Sequence, residues 1–181
     1  MLGVLRQKIE IPAGKRRLLG SIMEMESSQD RQTEVPRNVT GRPLEISIRT
    51  PEREVLVDIT DRVQTAVAQA RPGFTGLISV FVPHTTAGVT INEGADPAVI
   101  RDIVDGLRRM VPRDAGYRHS EGNSDAHIKA SLVGSSVLVP AEDGALRLGT
   151  WQSIYLAEFD GPRNRRVWVV PVATEQRGTS A

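Results

Sequence analysis

The 181-residue sequence contains no cysteine, which excludes disulfide bonds, thiolate zinc sites and cysteine nucleophiles. Neither sign of charge dominates, and the net charge of +1 gives no electrostatic reason to expect a nucleic-acid partner. No apolar run approaches the length that crosses a bilayer, and the first twenty residues lack the continuous apolar segment of a secretory signal. These absences predict a cytoplasmic protein without a nucleic-acid or membrane partner.

The composition is that of a globular domain, with 39% hydrophobic and 25% charged residues. Residues 1–43 differ from the rest because they are polar, contain eight basic and five acidic residues, and show no sustained hydrophobic period. We therefore expect a flexible N-terminal arm over 1–43, a folded domain over 44–173 and a disordered tail over 174–181. A transit peptide, or a start of translation at Met23 or Met25, are alternatives for the arm.

The hydrophobic pattern of the domain predicts both strands and helices. Helices are expected after Thr60 as N-cap, after Asp96 with Pro97 in the first turn, and from Ser124 as N-cap to Gly134. The first four predicted strands are LEISIRT, EVLVDI, a central TGLISVFVP and its hairpin partner AGVTINE. SSVLVPA, QSIYLAEF and RRVWVVPV follow, with a tight turn at 142–144 after the first of them. The order ββαββααβββ predicts an α+β fold with a mostly antiparallel sheet.

All three histidines lie in segments that are rich in polar residues. His84 ends an apolar strand, His119 lies in a loop, and His127 falls in the first turn of a predicted helix. A chain reversal at Gly122 can bring the last two imidazoles together, and His84 can join them from another strand. Three imidazoles with an open fourth position suit a catalytic zinc ion, with Glu121 or Glu93 as general base or as an orienting residue.

Phosphate binding is a second interpretation of the same segments. Thr85 and Thr86 offer hydroxyl groups, Lys129 and Arg163 offer positive charge, and the N-terminus of the third helix offers free N–H groups.

A third interpretation assigns these polar residues to local structure. Asn123, Ser124 and Asp125 can serve only to cap the helix, and Asp125 can pair with Lys129 on the helix surface four residues later.

Three long segments carry a family resemblance: PHTTAGVTINEGADP, EGNSDAHIKASLVGSSVLVP and LGTWQSIYLAEFDGPR. They resemble the YjbQ-like family, also called the secondary thiamine-phosphate synthase family, and the likeness runs from about Leu44 to Val172. The resemblance implies a compact α+β sandwich that is usually assembled as a homotrimer. It also implies a weak thiamine-phosphate synthase activity, in which hydroxymethylpyrimidine diphosphate is joined to thiazole phosphate with loss of pyrophosphate.

Resemblance and residue chemistry together define the expected site. The expected catalytic residues are Glu121, Asp125 and Lys129; the substrate-binding residues are Thr85, Thr86, Asn123, Ser124 and Arg163; and the ligands of a divalent metal, zinc first, are His84, His119 and His127. The expected partners are further copies of the chain and a small phosphorylated metabolite. The alternative functions are a non-catalytic trimer that binds a metal or metabolite, and a hydrolase of a small phosphorylated molecule.

Overall fold

The computed structural model describes residues 43–172, so the predicted tail and, apart from Pro43, the predicted arm lie outside the described residues. The described part is an α+β fold with three helices, as predicted. Its elements are β1 (Leu44–Arg49), β2 (Val55–Asp58), α1 (Thr60–Ala70), β3 (Gly76–Phe81), β4 (Ala87–Glu93), α2 (Pro97–Met110), α3 (Ser124–Val133), β5 (Ser136–Glu142), β6 (Ala145–Leu146), β7 (Gln152–Glu158) and β8 (Asn164–Val172).

The predicted order holds except for one additional strand, the two-residue β6. It follows the predicted tight turn, in which Asp143 and Gly144 have φ angles of 51° and 78°. Two successive positive φ angles match the right-handed twist of a two-residue hairpin, and the turn therefore folds the chain back to pair β6 with β5.

The strands form two antiparallel sheets, one with the order β1-β8-β3-β5-β6 and one with the order β2-β7-β4. Strand β3 is central in the larger sheet, as predicted, because β8 and β5 occupy its two edges. The prediction that β4 is its hairpin partner is wrong: β4 pairs with β7 in the other sheet. Residues 82–86 carry the chain between the sheets, which lets the buried start of β4 face the core.

Two apolar clusters hold the layers together. The first lies between the two sheets and includes Val80 and Val169 from one, Ile154 and Leu156 from the other, and Val63 from α1. The second lies on the opposite face of the small sheet, where α2 and α3 cover it. Strand β7 is therefore buried on both faces, which explains its nearly continuous apolar sequence.

Two of the three predicted helix caps are wrong. Thr60 and Ser124 are the first residues of their helices, and neither α1 nor α3 has a side-chain hydrogen bond at its N-cap. Thr60 instead donates its N–H and its hydroxyl to Asp58 Oδ1. Asp96 does cap α2, as predicted. None of the helices within residues 43–172 is long and apolar enough to cross a membrane.

Strand β4 passes close beneath the end of α3 at Gly88. A Cβ atom at this position would lie 2.5 Å from the carbonyl oxygen of Gly134 and 3.1 Å from Val133 Cγ1. We expect Gly88→Ala to lower the free energy of unfolding by about 1–3 kcal/mol, because the backbones must move apart. Gly106→Ala is the control: its Cβ would meet only Arg109 at 4.0 Å, and alanine favours the helix by about 0.8–1 kcal/mol. Urea denaturation measures the free energy of unfolding of both variants. Equal effects of the two substitutions would contradict the close packing at Gly88.

Candidate functional site

His84 lies in the loop between β3 and β4 and is anchored to the start of β8. Its Nε2 accepts a hydrogen bond of 2.9 Å from the backbone N–H of Arg166. Burial lowers the pKa of this imidazole, and the charges of Arg165 and Arg166 lower it further. His84 is therefore a neutral side chain at neutral pH, held in a fixed orientation.

His84 and His127 line the same open cleft, which has a volume of about 510 Å³. The β3–β4 loop contributes His84 and Thr85 to its walls, and α3 with the following turn contributes the remaining polar groups. Besides the histidines, the lining residues are Thr85, Ala87, Ala130, Ser131, Gly134 and Ser135. The cleft thus presents imidazole and hydroxyl groups, which can bind a polar small molecule and exchange protons with it.

His119 joins the site through contact with His127. Their ring centroids lie 5.4 Å apart, with an angle of 80° between the ring planes. The chain reverses between them at Gly122, whose φ of 69° is in the left-handed region and whose N–H donates to His119 O. Glu121 is 72% exposed, and its Oε2 lies 3.8 Å from His119 Nε2. The structure thus places the His119 ring against the His127 ring, with Glu121 beside His119.

The His119–His127 pair has a separation that suits one metal ion. Two imidazoles bound to a tetrahedral zinc ion, with Zn–N bonds of about 2.1 Å, place their ring centroids roughly 5 Å apart. Within residues 43–172, however, no three histidine, aspartate or glutamate side chains are gathered closely enough to hold a metal. Glu93 is at the far end of β4 from the His84 loop. The arrangement therefore offers two ligands, with Glu121 as the nearest further donor.

Asp125 and Lys129 are buried, with exposures of 0% and 1%. Lys129 Nζ donates to Asp125 Oδ2 at 3.0 Å and to Glu54 Oε1 at 2.8 Å. Asp125 also accepts two hydrogen bonds from Arg53, at 2.9 and 3.2 Å. The pair suggested by the sequence does form, but in the interior and not on the helix surface, and neither residue lines the cleft.

Burial raises the pKa of Asp125, but hydrogen bonds and positive charge from Lys129 and Arg53 outweigh burial and leave the pKa below its ordinary value. Glu54, the other partner of Lys129, also accepts a hydrogen bond of 2.7 Å from Arg108 on α2. The buried charges therefore link α3, α2 and the segment before β2.

A second carboxylate, Asp160, holds two of the predicted substrate-binding residues. Its Oδ2 accepts from Asn123 Nδ2 at 3.1 Å and from Arg163 Nη2 at 2.7 Å, and its Oδ1 accepts from Arg53 at 3.1 Å. Ser124 follows Asn123 as the first residue of α3. Asn123 and Arg163 thus bind a carboxylate of the protein itself.

Thr86 belongs to another buried network, beneath the His84 loop. Its hydroxyl accepts a hydrogen bond of 2.8 Å from Arg165, which also binds Glu158 with two nitrogens. Glu158 is fully buried and accepts a further bond from Thr50. Burial raises the pKa of Glu158, but Arg165 and the other donors lower it below its ordinary value. Of the two predicted threonines, only Thr85 faces the cleft.

The sequence alone assigns no site role to four residues that support the site: Arg53, Glu54, Glu158 and Arg165. Arg53 ends the short segment TPER between the first two predicted strands, and Glu54 begins the second of them, EVLVDI. The other two alternate with apolar residues in strands. No local signal marks either set, because their partners are distant in the sequence: 108 positions separate Thr50 from Glu158.

The fold and cleft define a class: a two-sheet α+β protein with an open cleft lined by histidines. The family model described as UPF0047 protein YjbQ-like matches residues 44–174. The chain belongs to this family, and the resemblance carried by the three long segments is confirmed.

Relatives in archaea and bacteria show how far the similarity extends. A UPF0047 protein of Methanocaldococcus jannaschii is 51% identical over 122 residues, which cover 67% of this chain and 88% of the relative. YugU of Bacillus subtilis is 44% identical over 126 residues, covering 68% and 94%. The crystal structure of a YjbQ/UPF0047 protein from Clostridium acetobutylicum has a TM-score of 0.68 and 51% identity, and the match covers 71% of this chain and 99% of that one. The similarity therefore spans nearly the full length of these relatives.

The buried position of Lys129 can be tested through stability. We expect Lys129→Met to lower the free energy of unfolding by about 3–5 kcal/mol, because two buried carboxylates lose their common cation. Arg147→Met is the matched control, since Arg147 and Glu142 form an exposed pair at 3.4 Å and such pairs contribute about 0–1 kcal/mol. Chemical denaturation measures both variants. A Lys129→Met protein as stable as the control would contradict the buried network.

Proposed function

We propose that the histidine-lined cleft is the active site of an enzyme that binds one divalent cation and a small phosphorylated substrate. The observation that carries this proposal is the convergence of three imidazoles from separate segments: His119 and His127 in contact, and His84 and His127 on the walls of one cleft. Neither capping nor packing requires a loop and a helix to place imidazoles on the walls of one cleft, with a third imidazole in contact with one of them. Loops and strand ends on a rigid scaffold are also where binding groups commonly lie.

His119 and His127 are the residues that would hold the cation, because their ring separation suits two ligands of one ion. Zinc is the first choice, since neutral imidazole nitrogens suit it. When bound, the cation would stabilise negative charge on phosphate oxygens. Glu121 is exposed beside the pair and is available to accept or give a proton there.

The substrate that we infer from the family resemblance is hydroxymethylpyrimidine diphosphate, with thiazole phosphate as the acceptor. In this reaction the bond from the pyrimidine methylene carbon to the pyrophosphate oxygen breaks, and a bond from that carbon to the thiazole nitrogen forms. Lys129 and Arg163 already have carboxylate partners. The charge of the departing pyrophosphate would therefore rest on the cation and on neutral donors such as Thr85, which agrees with a weak transferase activity.

Asp125 and Lys129 then act as positioning residues. They fix α3, and α3 carries His127. In this proposal Thr86 and Asn123 have the same kind of role, because Thr86 is held by the buried Arg165 and Asn123 by Asp160.

We expect zinc to bind with a stoichiometry of one per chain in the wild-type protein and to be lost in His127→Ala. Affinity should fall as the pH is lowered through the histidine range near roughly 6.5, because only neutral imidazole binds the ion. Glu121→Gln should keep zinc and lose about 10²–10⁴-fold in turnover, because in this proposal Glu121 gives a proton to the pyrophosphate oxygen that departs. Metal analysis and assays with the two phosphorylated substrates measure these effects, and unchanged melting temperatures control for folding. Full activity of His127→Ala without zinc would overturn the assignment.

We also infer a homotrimer in the cytoplasm. Several large apolar side chains are exposed on the single chain, among them Leu132 at 57%, Leu138 at 60% and Trp151 at 65%, and contact between copies would bury such groups.

Light scattering at micromolar concentration should give three times the chain mass of 19.8 kDa. If β5 contributes to the contact between copies, replacing its exposed Leu138 by lysine should reduce this mass. Leu146 packs against the core of its own chain, so it is not expected to take part in that contact. A monomer mass for the wild-type protein would contradict the inference.

A further inference from the structure

The hydrogen bond to His84 fixes which of its ring nitrogens carries the proton. The backbone N–H of Arg166 can only donate, so Nε2 of His84 must offer its lone pair to it. Turning the ring by 180° would place a carbon atom against this N–H and lose the bond. A neutral imidazole with a bare Nε2 carries its proton on Nδ1.

The surroundings of His84 disfavour a second proton. A proton on Nε2 would point at the Arg166 N–H, so the charged form would lose the hydrogen bond and place two donors face to face. Burial and the charges of Arg165 and Arg166 act in the same direction. The buried Arg165–Glu158 pair holds Thr86, which lies two residues after His84 in the same loop. This contact keeps the loop from turning the His84 ring away from Arg166.

The other nitrogen, Nδ1, is free to meet a ligand. His84 lines the cleft, and among residues 43–172 no protein acceptor lies within hydrogen-bond distance of Nδ1. A nitrogen that carries a proton cannot bind a metal ion or act as a base without first losing it. An N–H directed at a ligand suits an oxygen that carries negative charge.

We propose that His84 is a fixed, neutral Nδ1–H donor to a phosphate oxygen of the substrate, and neither a metal ligand nor a general base. This role rests on the proposed function, because it assumes that the cleft binds a phosphorylated molecule. His84 and the exposed Thr85 then form the wall of the cleft that the β3–β4 loop contributes, and His127 lies on the wall that α3 contributes. A preformed donor costs no reorganisation when pyrophosphate departs, and it strengthens as charge develops on the oxygen.

The tautomer can be measured without any ligand or activity. The chain has three histidines, so a long-range ¹H–¹⁵N spectrum of protein labelled in its imidazoles contains only three ring patterns. His84, identified by its absence from the spectrum of His84→Gln, should show the neutral Nδ1–H pattern at pH 7.5 and keep it in the presence of zinc. The opposite tautomer, or an imidazolium pattern, would overturn the proposal whatever the function of the cleft.

Two substitutions then test the roles of the two ring nitrogens separately. Glutamine can place an amide oxygen near Nε2 and keep the bond from Arg166, but it has no donor at the position of Nδ1. Asparagine can place its amide nitrogen near Nδ1. We expect His84→Gln to weaken the binding of inorganic pyrophosphate by about tenfold to a hundredfold, because a hydrogen bond to a charged group is lost. We expect His84→Asn to bind pyrophosphate more tightly than His84→Gln does.

Calorimetry with pyrophosphate in the presence of zinc, together with metal analysis, measures both effects. Both variants should hold as much zinc as the wild-type protein, whereas His127→Ala should not. Loss of zinc in the His84 variants would make His84 a metal ligand and overturn the donor role. Equal pyrophosphate affinity in His84→Gln and wild type would also overturn it. A wild-type protein that binds neither zinc nor pyrophosphate would refute the proposed function, and the tautomer spectrum would still decide the state of His84.

Discussion

The ion pairs of Asp125 and Lys129 inside the domain are the interaction on which the cleft depends. Removing charges from water costs several kcal/mol for each ion, and only close partners offset this cost. Here Arg53 and Glu54 supply these partners from the segment before β2. Helix α3 can therefore pack in only one rotation about its axis, the one that buries both charges. That rotation exposes His127, two residues after Asp125, to the cleft and to His119.

A second buried pair, Glu158 with Arg165, fixes the opposite wall of the cleft through Thr86. The pKa values of Glu158, Asp125 and Asp160 lie below the ordinary values in the folded protein, despite the opposing effect of burial. Carboxylates of this kind stabilise the fold at pH values above their ordinary pKa and lose that contribution as the pH falls through the lowered one. The two walls of the cleft are therefore held by charge, while the apolar clusters hold the sheets.

Much of the fold follows from local patterns, because strand alternation, the Asp143–Gly144 turn and the Asp96 cap each act over a few residues. The exchange of β4 into the second sheet was not predictable in this way, since it depends on which edges of β3 are already occupied. The polar segments around the three histidines were found from the sequence by their composition. The buried partners of Lys129 and Thr86 were not, since a charged residue on a strand or after a proline looks exposed until its distant partner is known.

The central claim is that His119 and His127 together hold one cation while His84 stays outside its coordination shell. Anomalous diffraction at the zinc edge, from crystals grown with zinc, tests this claim most directly. The account predicts one peak at about 2.1 Å from a ring nitrogen of each of His119 and His127, with His84 still accepting from Arg166. A peak bound to His84, or no peak beside His127, would contradict it.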